Sequence, residues 1–402
     1  MREDTAMESR DVYLDYAATT PVDERVIEAM LPHLREGWGN PNSLYRKGRE
    51  AYTALEDARE RVARLIDAEH PEEVIFTAGG TESDNSALIG IATRAKPQGA
   101  HVIVSSFEHH AVLEPAHYLE KAGYEVTYLK PRPEGVIDPT DLEGAMRDDT
   151  ILVSVMHGNN EIGTLQPIRA LSDIAHARGA FFHTDAAQTL GKVPFDVVEL
   201  GIDAASFSGH KIYAPKGVGA LYLKRRTPFA PLVRGGGQEF KKRSGTQNVA
   251  GVIAFARALE IMVEEMPGES PRLAALRDRV ITGITGTLEN TAVSAMHPET
   301  LPNIAHLLIK GVEGEAMLLQ LDAKGVAVST GSACSSGSLE PSHVLLSIGC
   351  PPELAHGSVR ISLGRFTTDA DIDYFLEVFP PIVERLRSMS PVYARMFGSP
   401  AS

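Results

Sequence analysis

Two cysteines in 402 residues are too few for a disulfide framework. Cys334 and Cys350 also lack the CxxC or Cys/His spacing of a structural zinc site, which excludes a metal-built scaffold. One disulfide between them stays open, although a reducing compartment favours two separate thiols. Basic residues are in deficit as well. With 39 Lys and Arg against 53 Asp and Glu, the net charge is −14, which argues against a nucleic-acid partner or an anionic-membrane surface while leaving room for local basic patches. No apolar run approaches the roughly 18 residues of a membrane span, and the opening MREDTAMESRDVYLD lacks the apolar core of a secretory leader. These absences point to a cytoplasmic protein. What remains is an ordinary globular composition, 43% hydrophobic and 23% charged, which excludes disorder and low-complexity filaments. At roughly 150 residues per domain, the length suggests two or three domains.

From Val74 to Leu223 short apolar runs alternate with helical stretches. VIFT, HVIVSS, ILVSVM, AFFHTD and GVGALYL read as strands of a wound α/β sheet with parallel crossovers. TESDNSALIGIATRA, HAVLEPAHYLEKAG and PIRALSDIAHARG read as helices, the last opening on Pro167 and closing on Gly179. Upstream, SLYRKGREAYTALEDARERVARLI has the pattern of an amphipathic helix whose charges face solvent. After Thr246, the helix NVAGVIAFARALEIMVEEM is expected to end at PGESP, the main domain boundary, with a smaller α+β unit beyond it. Ser329 to Ser342, STGSACSSGSLEPS, is expected to be a surface loop, and SMSPVYARMFGSPAS a loosely held terminus.

Several strand ends carry reactive groups. Lys211 in SGHKIYAPKG follows the apolar strand DAASFS; an amine desolvated there is available for a Schiff base, and the alternative is a solvated turn lysine. Asp185 ends the strand FFHTD, at the edge where open α/β sheets bind ligands. A buried carboxylate there needs a partner such as a protonated pyridine nitrogen, or else it caps a helix or pairs with an arginine. Gly79, Gly80 and Thr81 begin a helix, with Thr81 and Asp84 at capping-box spacing, and suit an anion at the helix N-terminus. His109 in FEHHAV could stack on a planar ring and move protons, or lie on the surface. Asn159, Asn160 and Glu161 in MHGNNEIG could hold a ring hydroxyl or a carboxylate, or make local turns.

Gly235 to Asn248, with three basic residues and Thr246, is an anion-friendly segment or a solvated linker. Cys334 lies among small, mostly polar residues and so reads as a reactive thiol, whereas Cys350 in SIGCPP reads as a bystander. Arg360 in the strand of GSVRISLGRFT offers a planar fork for a carboxylate, or pairs with an interface Asp or Glu; Arg365 follows it.

In the order GGT, EHHA, NNEIG, HTDAAQ, SGHK, RSGT, SACSSGSLEPS and VRISLGRFT, the chain closely resembles the cysteine desulfurases of the NifS/IscS type, in the class V aminotransferase family. The resemblance runs from LDYAATTP to SMSPVY. It implies a fold-type I, aspartate-aminotransferase-like homodimer using pyridoxal 5'-phosphate. A mixed, mostly parallel sheet would lie in a large domain, 20–265, and residues 1–19 and 266–402 would form a small domain carrying the loop 329–345. It also implies that Lys211 links to the cofactor, Asp185 pairs with its ring nitrogen and His109 stacks on the ring. Asn160 and Gln188 would contact ring substituents, and Gly80, Thr81, Ser208 and His210 would hold the phosphate, with Thr246 reaching that of the other subunit. Arg360, Asn40 and Asn160 would bind L-cysteine, and Cys334 would take its sulfur as a persulfide, leaving L-alanine. No resident metal is implied, apart from a candidate iron–sulfur contact through Cys334. The sulfur acceptor is expected to be an iron–sulfur scaffold or a thiolation enzyme. Iron–sulfur donors of the family often carry a longer acidic or His-containing tail, so tRNA thiolation and cofactor synthesis stand as equal expectations. Two enzyme rivals on the same fold are a selenocysteine lyase and an aminotransferase, the latter having no use for Cys334. A docking protein that has lost the chemistry is the rival from another class.

Overall fold

A computed structural model describes residues 10–98, 100–330 and 340–397. In chain order these form β1 (Val12–Tyr13), α1 (Glu24–Arg35), α2 (Arg46–Leu65), β2 (Val74–Thr77), α3 (Gly80–Ala95), β3 (His101–Ser105), α4 (His110–Lys121), β4 (Glu125–Leu129), α5 (Pro139–Ala145), β5 (Thr150–Ser154), α6 (Ile168–Ala177) and β6 (Phe181–Asp185). There follow β7 (Ala204–Ser208), β8 (Gly219–Leu223), α7 (Val249–Thr287), β9 (Thr291–Val293), β10 (Ile304–Ile309), α8 (Gly314–Asp322), β11 (Val326–Ala327), α9 (His343–Ser347), α10 (Pro352–Ala355), β12 (Ser358–Ser362), α11 (Asp369–Ser388) and α12 (Pro391–Phe397).

The main sheet has seven strands in the order β2-β8-β7-β6-β5-β3-β4. The pairs β3/β4, β3/β5, β5/β6 and β6/β7 are parallel, whereas β8 runs antiparallel to both β7 and β2. The sheet is mixed and mostly parallel, as expected, with GVGALYL the one strand that runs the other way. A strand that opposes both neighbours leaves those neighbours parallel to each other, so six strands put their carboxyl ends on one rim. The strand β4 was not anticipated, because EVTYL lies at the edge and is only half-buried.

A second sheet, β12-β10-β9, is antiparallel, and β1 pairs with β11. Val12 and Leu14 join Leu276, Val280, Leu307, Ile361 and Phe375 in its core, so the chain start packs against the chain end. The helix expected to stop at PGESP instead runs 39 residues, from Val249 to Thr287, through Pro267 and Pro271. The prolines are four residues apart and both exposed, so water can satisfy the carbonyls they leave without donors. Val252, Phe255, Leu259 and Ile261 are buried in the main core and Leu273, Leu276, Val280 and Ile284 in the second, which anchors the helix on both sides of the prolines.

Three further expectations change. The α2 charges are not all solvated: Arg59 is only 1% exposed and bonds Glu239. The tail continues as α12, whose Tyr393 lies under Arg387 and receives a hydrogen bond from Asn290. Of the expected loop, residues 331–339, including Cys334, lie outside the described residues, whereas its two ends, Ser329 and Ser342, are buried. Cys350 is a half-buried free thiol packed on the main core, and burial pushes its pKa up.

Candidate active site

The turns leaving β2, β3, β5, β6 and β7 converge on a cavity of about 600 Å³. Gly80, Thr81, His109, Asn160, Asp185, Gln188, Ser208, His210, Lys211 and Arg360 all line it. Each turn is short, so a side chain placed just after a strand has nowhere to project but over the rim. Thr246 lies elsewhere, exposed on a separate cavity of about 140 Å³. Asn40 is also exposed and outside the main cavity, its Oδ1 accepting the Asn42 N–H at 3.0 Å.

At one end of the cavity α3 begins at Gly80, presenting its first backbone N–H groups. A Cβ on Gly80 would lie 3.2 Å from that of Ser208, so a larger residue would crowd the space between helix and strand. The expected Thr81/Asp84 capping box is not formed, since Gly79 is the residue preceding the helix. Asp84 instead points inward, fully buried, with one carboxyl oxygen 3.7 Å from His183 Nε2 and Ser206 hydrogen-bonding the carboxyl. His183 bridges Ser154 and Ser206 at 2.8 and 3.0 Å. Burial, with Asp185 nearby, pushes the Asp84 carboxyl well above the usual carboxylate range.

Asp185 is 6% exposed and accepts the Ala187 N–H at 2.8 Å. Burial pushes its pKa up to about 6, against the opposing pull of the Ala187 hydrogen bond and the Lys211 charge. His109 precedes α4 and accepts the Ala111 N–H on Nδ1 at 3.1 Å, so its ring proton is on Nε2. Burial, then the Lys211 charge, lowers its pKa to about 4 and keeps the ring neutral. His210 is lowered likewise to about 4, its Nδ1 3.1 Å from Thr19 Oγ1.

Lys211 does not sit bare in an apolar pocket, as the desolvation argument expected. Its Nζ donates to the carbonyls of Ala17 and Ala18 at 2.6 and 2.7 Å. Ala17 O also accepts from Gln188 Nε2 at 2.9 Å, and Thr20 bonds the His210 carbonyl and the Tyr213 N–H. The segment Ala17–Thr20 thus ties the chain start to the lysine turn. Sequence reasoning missed it, because backbone carbonyls carry no residue signature. It also missed Lys192, buried behind Lys211, donating to the Lys211 and Gln188 carbonyls and lowered to about 7 by burial.

The amides of MHGNNEIG divide their roles. Asn159 makes the local turn, accepting from Glu161 N–H and Ile162 N–H. Asn160 Oδ1 and Gln188 Oε1 are buried with no hydrogen-bond partner among the described residues, and both residues line the cavity. Glu161 receives the Ser342 hydroxyl at 2.5 Å, and burial raises its pKa to about 7. Of the two roles its sequence left open, Arg360 shows the pairing with an acidic side chain. It lines the cavity, and it bonds Asp15 Oδ1 and the Asn160 carbonyl, each at 2.8 Å, while its Nε stays buried without a partner. Arg365 takes the interface role, pairing with Asp23 and Glu265.

Together these groups suit a planar cationic ring over Asp185, an anionic substituent at the head of α3, a carbonyl within reach of an amine, and a carboxylate near Arg360. The aminotransferase class-V family model matches residues 12–375, and the chain belongs to that family. It is 53% identical to the cysteine desulfurase IscS of Dictyoglomus turgidum, over 95% of this chain and 97% of that relative. Among solved structures, it is similar to a NifS-like protein with a TM-score of 0.88 and 38% identity, covering 94% of this chain and all of the other. A second, SspA in complex with cysteine, matches with a TM-score of 0.78 and 34% identity over 89% of this chain and all of that one.

Proposed function

We propose that the chain is a pyridoxal 5'-phosphate-dependent cysteine desulfurase that takes sulfur from L-cysteine as a persulfide on Cys334 and releases L-alanine. The observation that carries this is the meeting of Lys211, Asp185 and the Gly80 turn in one cavity, with unpartnered Asn160 and Gln188 oxygens beside them. The fit to the cofactor is chemical: a buried carboxylate for a ring nitrogen, unpartnered amide oxygens for a ring hydroxyl, and helix N–H groups for a phosphate. Bound there, pyridoxal phosphate supplies an electron-accepting ring that stabilises charge at the substrate α-carbon.

The residues do the rest. Lys211 would hold the cofactor through its amine and, as a free amine, would move the α-proton, with the Ala17 and Ala18 carbonyls placed to accept from its Nζ. Asp185 would pair its carboxylate with the ring nitrogen and keep that nitrogen protonated, and neutral His109 would stack on the ring. Arg360 would bind the substrate carboxylate, whereas Asn40, outside the cavity, has no contact among the described residues of this chain that supports the assisting role. The Cys334 thiolate attacks the substrate sulfur, so the C–S bond breaks as the S–S bond forms and the carbon takes a proton.

A second copy of the chain, whose cofactor phosphate Thr246 would reach, and a sulfur-acceptor protein complete the reading. The chain then divides into a cofactor unit, 20–265, and a smaller unit of 1–19 and 266–402. Among the described residues no helix is long and apolar enough to cross a membrane, which fits the proposed cytoplasmic location.

The deciding experiment incubates the cofactor-loaded protein with L-cysteine and measures alanine together with the mass of the Cys334 peptide. Alanine plus one added sulfur on Cys334 supports the reading, and Cys334→Ser should abolish that transfer while retaining the cofactor. Alanine without the adduct indicates a lyase, and loss of transfer in Cys350→Ser would identify a different thiol.

A further inference from the structure

Glu239, Phe240 and Lys241 are consecutive side-chain-bearing residues with φ of 45°, 56° and 64°. Such residues occupy the left-handed region only where surrounding contacts outweigh the strain. Those contacts converge on one carboxylate. Glu239 accepts two hydrogen bonds from the buried Arg59 guanidinium at 2.7 and 2.9 Å, one from Phe76 N–H at 2.9 Å and one from Gln247 Nε2 at 3.3 Å. Because β2 is an edge strand, Phe76 N–H has no strand neighbour on that side. The Val74 carbonyl on the same strand accepts from Arg59 Nη1 at 2.6 Å, so the ion pair stands in for a missing strand.

The segment then makes a second contact. Arg243 donates to both oxygens of Glu82 at 2.8 and 3.3 Å, and Glu82 Oε2 accepts the Ala78 N–H at 2.8 Å. Phe76 and Ala78 are therefore braced from one side by the first residue of the strained turn, Glu239, and, through Glu82, by Arg243 just after it. They lead directly into the Gly79-Gly80-Thr81 turn that opens α3. The solvated-linker alternative for Gly235 to Asn248 thus fails over residues 239–243, which brace the strand edge.

We propose that Arg59, Glu239 and Arg243 are positioning residues for the phosphate end of the cofactor site, holding the backbone that presents the Gly79–Thr81 amides. This rests on the reading of that turn as the phosphate cradle. The three residues lie outside the lining of the main cavity, so their effect falls on affinity for the phosphate group rather than on ring chemistry.

The test uses the full chain stripped of cofactor, and measures equilibrium binding of pyridoxal phosphate and of phosphate-free pyridoxal, with thermal melting in parallel. Glu239→Gln and Arg243→Gln should each raise the Kd for pyridoxal phosphate by about tenfold or more, and that for pyridoxal by less than about twofold. Equal losses for both ligands would make the brace a general scaffold and overturn the proposal, as would unchanged affinity for pyridoxal phosphate. Arg243 is partly exposed, so Arg243→Gln alone decides if Glu239→Gln does not fold. A wild-type chain that binds neither ligand would overturn the cofactor reading instead.

Discussion

Two carboxylates, one at the cavity floor and one at the sheet edge, are almost equally buried: Asp185 is 6% exposed and Glu239 4%. Their surroundings are opposite. Glu239 has a bidentate arginine, a backbone N–H and an amide, so the chain itself supplies the partners that a buried charge requires. Asp185 meets nothing comparable among the described residues, with one backbone N–H and the field of Lys211. A buried carboxylate satisfied by its own chain is architecture. One left without such partners is, on the proposed reading, a binding group for a positive charge from outside, kept at a cost in stability.

The largest test of this contrast removes the amine that shares the cavity with Asp185. Lys211→Ala should lower turnover by about a thousandfold or more and leave no covalent cofactor adduct after borohydride reduction. An adduct surviving in the intact-protein mass spectrum would show that another residue makes the link. Next, the two carboxylates should separate by type of loss. Asp185→Asn should cut turnover by about a hundredfold or more while the cofactor-free protein melts no lower than wild type at neutral pH. Glu239→Ala, which leaves Arg59 only Glu56 at 3.2 Å and the Val74 carbonyl, should cost about 3 kcal/mol in urea unfolding. If Asp185→Asn proved the more destabilising of the two, the contrast would collapse.

The smallest effect is in pH. The folded Asp185 carboxyl titrates above its unfolded value, so the native state binds its proton more tightly, and the resulting stability is full below about pH 4 and lost as pH rises through about 6. Glu108, Glu161 and Asp84 are raised too, so the wild-type slope is shared. The difference between wild-type and Asp185→Asn stability curves for the cofactor-free protein, which also carries the change in the neighbouring Asp84, should move in favour of the variant as pH rises toward 7. Parallel curves would mean that Asp185 is already partnered.

The rim of the site was legible in the sequence because each of its turns is local: GGT, EHHA, NNEIG, DAAQ and SGHK each follow a strand within a few residues. The fold class could be read for the same reason, from strands bounded by recognisable turns. What escaped was held together over long separations. Ala17 and Ala18 act through backbone carbonyls on a lysine far along the chain, and Arg59 reads as surface charge until Glu239 arrives beside it. Pro267 and Pro271 suggested a break because local propensity opposes a helix there, and the two buried halves override it.

That uninterrupted helix has a consequence for how the molecule comes apart. At 1.5 Å per residue, its 39 residues extend about 58 Å. Its first half is rooted in one hydrophobic cluster and its second half in the other. Melting either cluster would strip one flank of a continuous hydrogen-bonded rod, so the two lose independence, and heat should unfold them in a single cooperative transition rather than in sequence.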